Sequence, residues 1–141
     1  MKQKLVYSLE ELDLAASLIV HKMQKYKIFA LSGSLGAGKT TLVQAALKRC
    51  GVLESITSPT FTYVNIYNNK SAETFYHFDL YRLSSYREFA EAGFEEYLDV
   101  ENSWSFIEWP EVIKDFLSKE GACFAKIDYH GFDKRVLEIC K

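Results

Sequence analysis

The nine residues Gly33-Ser-Leu-Gly-Ala-Gly-Lys-Thr-Thr41 constrain this chain more than any other stretch. They fit G-x-x-x-x-G-K-[ST], with Gly33, Gly38, Lys39 and Thr40 in the defining positions. Glycines let successive backbone N–H groups face one concavity, where side chains would keep an anion out. A helix expected to begin near Gly38 adds the positive end of its dipole and its unpaired N–H groups. Lys39 offers a mobile point charge to outer phosphates, and the Thr40 hydroxyl is an oxygen ligand for Mg²⁺. An ordinary glycine-rich turn would need no particular surroundings. Here the apolar run Ile28-Phe-Ala-Leu31 leads into the loop, and Thr41-Leu-Val-Gln-Ala-Ala-Leu-Lys48 leaves it as a helix stopped by Gly51. Strand, loop and helix in that order are the setting a phosphate-binding loop requires.

Elements on either side extend the pattern. Lys4-Leu-Val-Tyr7 reads as a short edge strand, and Ser8 with Glu11 forms a capping box ahead of an amphipathic helix. Leu12, Ala16, Ile19, Val20 and Met23 recur at helical spacing along it. Thr57-Ser-Pro-Thr-Phe61 marks a loop, because Pro59 fixes the backbone among hydroxyl residues. Phe61–Tyr67 and Thr74–Asp79 then read as two strands joined through Asn68-Asn69, predicting an antiparallel hairpin. A helix is expected within Arg82–Ala92, ended by Gly93, and an apolar strand over Trp104–Glu108. Pro110 suits the first turn of a helix running through Val112, Ile113 and Phe116. Ala122–Tyr129 and Arg135–Ile139 close the chain as strands connected through His130-Gly131. Helices interleaved with strands predict an α/β class: a P-loop NTPase-like domain over residues 1–141, with a mixed sheet, an antiparallel hairpin and flanking helices.

Composition narrows the function classes. With 141 residues the chain is long enough for one core without crosslinks. Ten Phe and nine Tyr are expected to fill that core rather than to form an aromatic binding surface. The balance of 17 basic against 19 acidic residues leaves a net charge of −2 and no Lys/Arg block, which argues against tight direct binding to nucleic acid. Lys22, Lys25 and Lys27 read as a solvated helix end. Three widely spaced cysteines suit a reduced cytoplasm better than a disulfide framework or a zinc site. The polar N-terminus and the want of a long apolar run predict a soluble, cytoplasmic protein with no membrane association.

A nucleotide on the loop needs a carboxylate at the end of another apolar strand, holding Mg²⁺ directly or through water. Asp79 and Glu108 both qualify, and Glu108 is assigned the direct metal role because the run before it is the cleaner buried strand. A structural role, capping a loop or pairing with Arg82 or Arg87, is the competing reading for either. Thr60 stands where nucleotide switches place a γ-phosphate sensor, and equally where a threonine would stabilise the turn at Pro59. His77 reads as a half-buried strand residue rather than a base. Asn68-Asn-Lys-Ser71 lacks the aspartate of the guanine-reading Asn-Lys-x-Asp motif, which tilts the base towards adenine and the nucleotide towards ATP.

Taken together, Gly33–Thr41, Ser58-Pro-Thr-Phe61, His77-Phe-Asp-Leu-Tyr-Arg-Leu83 and Ile107-Glu-Trp-Pro110 resemble the TsaE (YjeE) family, the bacterial P-loop ATPases of tRNA threonylcarbamoyladenosine biosynthesis. The order and spacing agree from about Ser8 to Ile139. The resemblance implies that Gly33, Gly36, Ala37, Gly38, Lys39, Thr40 and Thr41 hold the phosphates of ATP, and that Thr40 and Glu108 ligate Mg²⁺. It implies that Asp79 is a second acidic group beside the metal and attacking water, that Thr60 faces the γ-phosphate and that Trp109 lies close to the nucleotide. An arginine near the C-terminus approaches the nucleotide in this family, and Arg135 is the match, with Lys134 adjacent. Ser34 replaces the family's usual Asp or Asn, and any role of a longer C-terminal tail is expected to be missing. The implied function is a weak ATPase supporting TsaD and TsaB in modifying the tRNA adenosine next to the anticodon, with tRNA met only through the complex. The alternative is an interaction module in which ATP binding, not hydrolysis, is the signal.

Overall fold

Ile28-Phe-Ala-Leu31 and Phe106-Ile107 place apolar side chains on both faces of their strands, which suits them only to a sheet covered on both sides. They occupy its middle. The computed structural model describes residues 2–59 and 62–140. Seven strands form one mixed sheet: β1 (Lys2–Ser8), β2 (Ile28–Gly33), β3 (Val64–Asn68), β4 (Thr74–Asp79), β5 (Ser103–Glu108), β6 (Cys123–His130) and β7 (Lys134–Cys140), in the order β1-β7-β6-β2-β5-β4-β3. β2, β4, β5 and β6 run parallel, whereas β3, β7 and β1 attach antiparallel at the two sides. The mixed sheet, an antiparallel hairpin of Val64–Asn68 with Thr74–Asp79 and the flanking helices expected from the sequence are present, whereas Phe61, expected to open the hairpin, lies outside the described residues. The first hairpin strand starts later than expected, at Val64, because Tyr63 takes a left-handed backbone (φ 65°) that interrupts a strand.

Helices α1 (Leu12–Lys22) and α2 (Lys39–Arg49) cover one face; α3 (Tyr86–Glu91), α4 (Lys114–Lys119) and short 3₁₀ turns cover the other. The capping box forms as read: the Ser8 N–H donates to Glu11 Oε1 at 3.0 Å, through a 3₁₀ turn that leads into α1. On the α1/α2 face, Phe29 stacks on Phe106 with ring centroids 5.3 Å apart, an arrangement worth about 0.5–1.5 kcal/mol beyond burial. On the opposite face Phe94 meets Phe78 and Phe89 edge to face, and Phe89 and Tyr97 lie tilted against Phe78. Much of the aromatic content is therefore in the core, as composition suggested, while Tyr81, Tyr86, Tyr129 and Phe132 are exposed. Among the described residues no helix is long and apolar enough to cross a membrane.

One expectation fails. Cys123 at the start of β6 and Cys140 at the end of β7 are joined in a disulfide, their Cα atoms 5.7 Å apart. Wide spacing in sequence argued against a bond, but antiparallel pairing folds the chain back and brings positions 17 apart side by side. Only Cys50 is free; burial pushes its thiol up to about 11, so it is a poor nucleophile near neutrality.

Gly33 ends β2 opposite Ile127 of β6 with φ 143°, and a Cβ there would lie 2.2 Å from the Ile127 carbonyl oxygen. Only glycine lets the chain leave the sheet so close to its neighbour. Gly33→Ala should lower unfolding free energy by about 2–5 kcal/mol, combining backbone strain with a backbone clash. Gly121→Ala, where φ is 74° and nothing lies within 4 Å, should cost only about 1–2 kcal/mol. Urea denaturation of both variants checks the contrast. The cysteine assignment predicts one alkylated thiol per unfolded, unreduced chain and three after reduction, read by intact mass.

Candidate phosphate and metal site

In parallel sheets the strand C-termini face the crossover loops, and ligands collect at that edge. Three strands end there together. Register places Leu31 of β2 level with Glu108 of β5, and Glu108 level with Asp79 of β4. Side chains alternate across a strand, so Phe75, His77 and Asp79 of β4 and Trp104, Phe106 and Glu108 of β5 share the face under α1 and α2. The result is a ladder of three cross-strand rungs: Phe75 stacked on Trp104, His77 beside Phe106, and the two carboxylates on top.

The loop itself is built by backbone conformation. Gly36 (φ 77°) and Gly38 (φ 107°) take left-handed turns, Gly38 immediately before α2 begins at Lys39. The first N–H groups of α2 therefore border a cavity of about 250 Å³ lined by Gly38, Lys39, Thr40, Asp79, Glu108 and Trp109. Gly36 and Thr41 line it too, and together with Ala37 they also border the loop's other flank. Lys39 folds back over this loop, donating from Nζ to the Gly33 and Ser34 carbonyls at 2.6 and 3.0 Å. Burial pushes its ammonium pKa below the usual lysine range, and the negative charges of Glu108, Glu111 and Asp79 oppose that shift.

Glu108 is buried, with 3% of its surface exposed, and a buried carboxylate must be hydrogen-bonded. Its partners are specific. The Thr40 hydroxyl lies 2.9 and 2.8 Å from its two oxygens, and His77 Nε2 lies 2.5 Å from Oε2. Asp79 is placed differently: Oδ2 accepts from the Ser58 hydroxyl at 3.1 Å and Oδ1 from the Tyr81 N–H at 3.0 Å. It thus caps the turn after β4 and ties down the Ser58-Pro59 loop, the structural part the sequence left open for it. Pro59 is buried beside it, whereas Thr60 lies outside the described residues.

Trp109 follows Glu108 with φ 55° and ψ 58°, a conformation that costs a non-glycine residue roughly 1–2 kcal/mol. Its ring lies under the Lys39 ammonium (4.0 Å to the centroid) and against Tyr81 (4.9 Å between rings), so the strained turn aims an aromatic wall at the loop. Arg135, carried in by β7, donates from Nε to the Ala37 carbonyl at 3.1 Å and stacks on Tyr129. Arg135 rather than Lys134 is the residue that reaches the loop. Beside it lies a cavity of about 320 Å³ bordered by Leu9, Leu12, Phe132 and Arg135. Sequence reasoning missed two things. His77 is fully buried and bonded to Glu108, which one isolated histidine in a strand pattern does not reveal. The apolar cavity draws on the two ends of the chain, a contact that no local motif encodes.

A glycine loop between a buried strand and a helix, with an acid at the tip of the neighbouring parallel strand, defines a P-loop NTPase-like protein. The family model described as threonylcarbamoyl adenosine biosynthesis protein TsaE matches residues 6–136. The chain belongs to the TsaE family. It is 41% identical over 110 residues to the tRNA threonylcarbamoyladenosine biosynthesis protein TsaE of Rickettsia felis, a match covering 77% of this chain and 63% of that protein. Its namesake in Rickettsia conorii is 43% identical over 110 residues, with 77% of this chain and 61% of that protein covered. The Haemophilus influenzae protein of the same name is 39% identical over 109 residues, covering 77% and 66%. The match thus spans less than two thirds of the length of each of these three relatives. The crystal structure of Bacillus subtilis YdiB superposes with a TM-score of 0.74 at 26% identity, covering 99% of this chain and 86% of that one.

The Thr40–Glu108 contact is itself testable. In Thr40→Val the shape is kept while the buried carboxylate loses a donor, so stability at neutral pH should fall by about 1–3 kcal/mol. Thermal or urea unfolding of the variant without added nucleotide measures it.

Proposed function

We propose that this chain is a Mg²⁺-dependent ATP-binding protein and slow ATPase that acts in tRNA threonylcarbamoyladenosine biosynthesis together with TsaB and TsaD, as a single cytoplasmic P-loop domain over residues 1–141. The observation that carries this reading is the convergence of Thr40 and Glu108 at the mouth of the loop, 2.8–2.9 Å apart. A hydroxyl that donates its hydrogen to a carboxylate keeps its lone pairs for a cation, and Mg²⁺ asks for one or two such protein oxygens plus phosphate and water. Among the described residues no group of three or more His, Cys, Asp or Glu is arranged for a metal ion, which fits a metal that arrives with the nucleotide. Mg²⁺ would neutralise charge developing on the transferring phosphoryl group.

The chain's own residues do the rest. Gly33, Gly36, Ala37, Gly38 and Thr41 present the loop amides, and Lys39 exchanges the carbonyls of Gly33 and Ser34 for phosphate oxygens. Asp79 orders the Ser58 loop, next to which Thr60 would meet the γ-phosphate, and stands where it can orient water. Trp109 walls the phosphate cavity. Arg135 borders the apolar cavity on the other flank of the loop, whose Leu9, Leu12 and Phe132 suit a nucleobase. Besides Lys39, no further cation reaches the phosphate cavity from among its described lining residues, so rapid cleavage would need a charge brought by the partner.

Calorimetry with and without Mg²⁺ tests the site. Lys39→Ala should weaken ATP binding about ten- to a hundredfold, from roughly 1.5–3 kcal/mol of charge-assisted hydrogen bonding. Glu108→Gln should still bind ATP but lose most of the gain from Mg²⁺. Unchanged affinity in Lys39→Ala removes the reading. ATP cleavage alone, with the TsaB–TsaD dimer and with tRNA alone tests the rest, the dimer being the expected stimulant. If Glu108→Gln supports many rounds of modification without cleaving ATP, binding rather than hydrolysis is the signal.

A further inference from the structure

Glu108 has a second side-chain partner besides Thr40. His77 is fully buried in β4, one rung below the carboxylates, with Phe106 opposite it on β5 and Phe75 two residues before it. Its Nε2 lies 2.5 Å from Glu108 Oε2. Its Nδ1 is the buried side-chain polar atom that has no hydrogen-bond partner among the described residues. An aromatic-lined sheet face is a costly place for an imidazole unless the group is needed there.

We propose that His77 is the positioning residue of the metal site, fixing Glu108 so that one defined carboxylate oxygen is offered to Mg²⁺. This rests on the metal role of Glu108 proposed above. An ionised carboxylate only accepts, so the hydrogen between the two groups sits on His77 Nε2, and Nδ1 is left with its lone pair. That tautomer explains the geometry: a lone pair facing apolar side chains is the less costly atom to leave unpaired. Oε2 then carries both the imidazole N–H and a share of the Thr40 hydroxyl, whereas Oε1 is touched by Thr40 alone. Spare acceptor capacity is thus concentrated on Oε1. Without His77 the carboxylate could rotate about its last torsion, which is broad for glutamate, and present either oxygen or neither. Hydrogen-bond partners behind metal ligands commonly set affinity by ten- to a hundredfold. Strand pairing makes this partner rigid, since His77 and Glu108 sit one rung apart on adjacent strands whose register is fixed by six paired positions.

Two substitutions and one spectrum test this. His77→Phe keeps an aromatic volume and removes the donor; His77→Gln returns a donor near the position of Nε2. The ratio of ATP affinity with Mg²⁺ to that in EDTA should fall about ten- to a hundredfold in His77→Phe and recover most of the way in His77→Gln. A purely structural histidine would lower the melting temperature of both variants and leave that ratio alone, which overturns the proposal. Long-range ¹H–¹⁵N spectra of the metal-free wild type, which does not depend on any variant folding, should show His77 as the Nε2–H tautomer. An Nδ1–H tautomer would overturn the pairing directly. Wild-type protein that gains nothing from Mg²⁺ would overturn the metal role itself, and that result is seen before any substitution is made.

Discussion

Parallel pairing of β5 with both β2 and β4 is the constraint on which the rest of the molecule depends. It sets Leu31, Glu108 and Asp79 in one row, so the strand that feeds the glycine loop and the two strands that end in carboxylates stop at the same height. A slip of one residue would turn Glu108 to the opposite face, away from Thr40, and bring Phe106 out of its stack on Phe29. The register is held by burial. Phe29, Phe106 and Phe75 are almost wholly buried on the α1/α2 face, and Ile28, Ala30, Ile107 and Phe78 on the other. At about 1.5–3 kcal/mol for each large side chain, that burial outweighs the cost of holding a charged group at the sheet's end.

Above the row, the site is a set of polar groups each bonded to another part of the protein. Lys39 rests on two loop carbonyls, Thr40 on Glu108, and Asp79 on Ser58 and a backbone N–H. Each polar group is satisfied within the protein, so none of them is left as a stranded donor or acceptor. The strained Trp109 belongs to the same economy of position: its left-handed backbone turns the chain sharply after Glu108, which sets the ring beneath Lys39 and starts the Pro110 turn.

Much of this was legible in the residues. Gly33, Gly38, Lys39 and Thr40 announced the loop because a local motif encodes a local shape, and the apolar runs flanking it announced strand and helix. The sequence set Glu108 apart from Asp79 by the character of the strand before it; in the structure Glu108 meets Thr40, whereas Asp79 ties a turn. What stayed hidden depended on register and on distance along the chain. His77 looked like any strand residue until β4 was paired with β5, since only the pairing puts its ring beneath Glu108. Cys123 and Cys140 looked unrelated until β6 and β7 were folded against each other. Thr60, whose two readings the sequence left open, lies outside the described residues.

The antiparallel half of the sheet gives the loop its second wall. β6 lies beside β2, β7 folds back along β6 and β1 closes the edge, so both ends of the chain arrive next to the loop that begins in its middle. From β7 comes Arg135, whose Nε reaches the Ala37 carbonyl; from the turn before it comes Phe132; from the segment after β1 come Leu9 and Leu12. A parallel strand in the place of β7 would have required a crossover of a dozen or more residues, whereas three residues, Gly131 to Asp133, suffice here. The disulfide between Cys123 and Cys140 joins the far ends of that same hairpin. Glu108 and its partners thus stand on one flank of the loop and Arg135 with the apolar cavity on the other, each carried by a different half of one sheet. The loop is fixed between them because Gly33 alone lets β2 pass so close to the Ile127 carbonyl before it turns away.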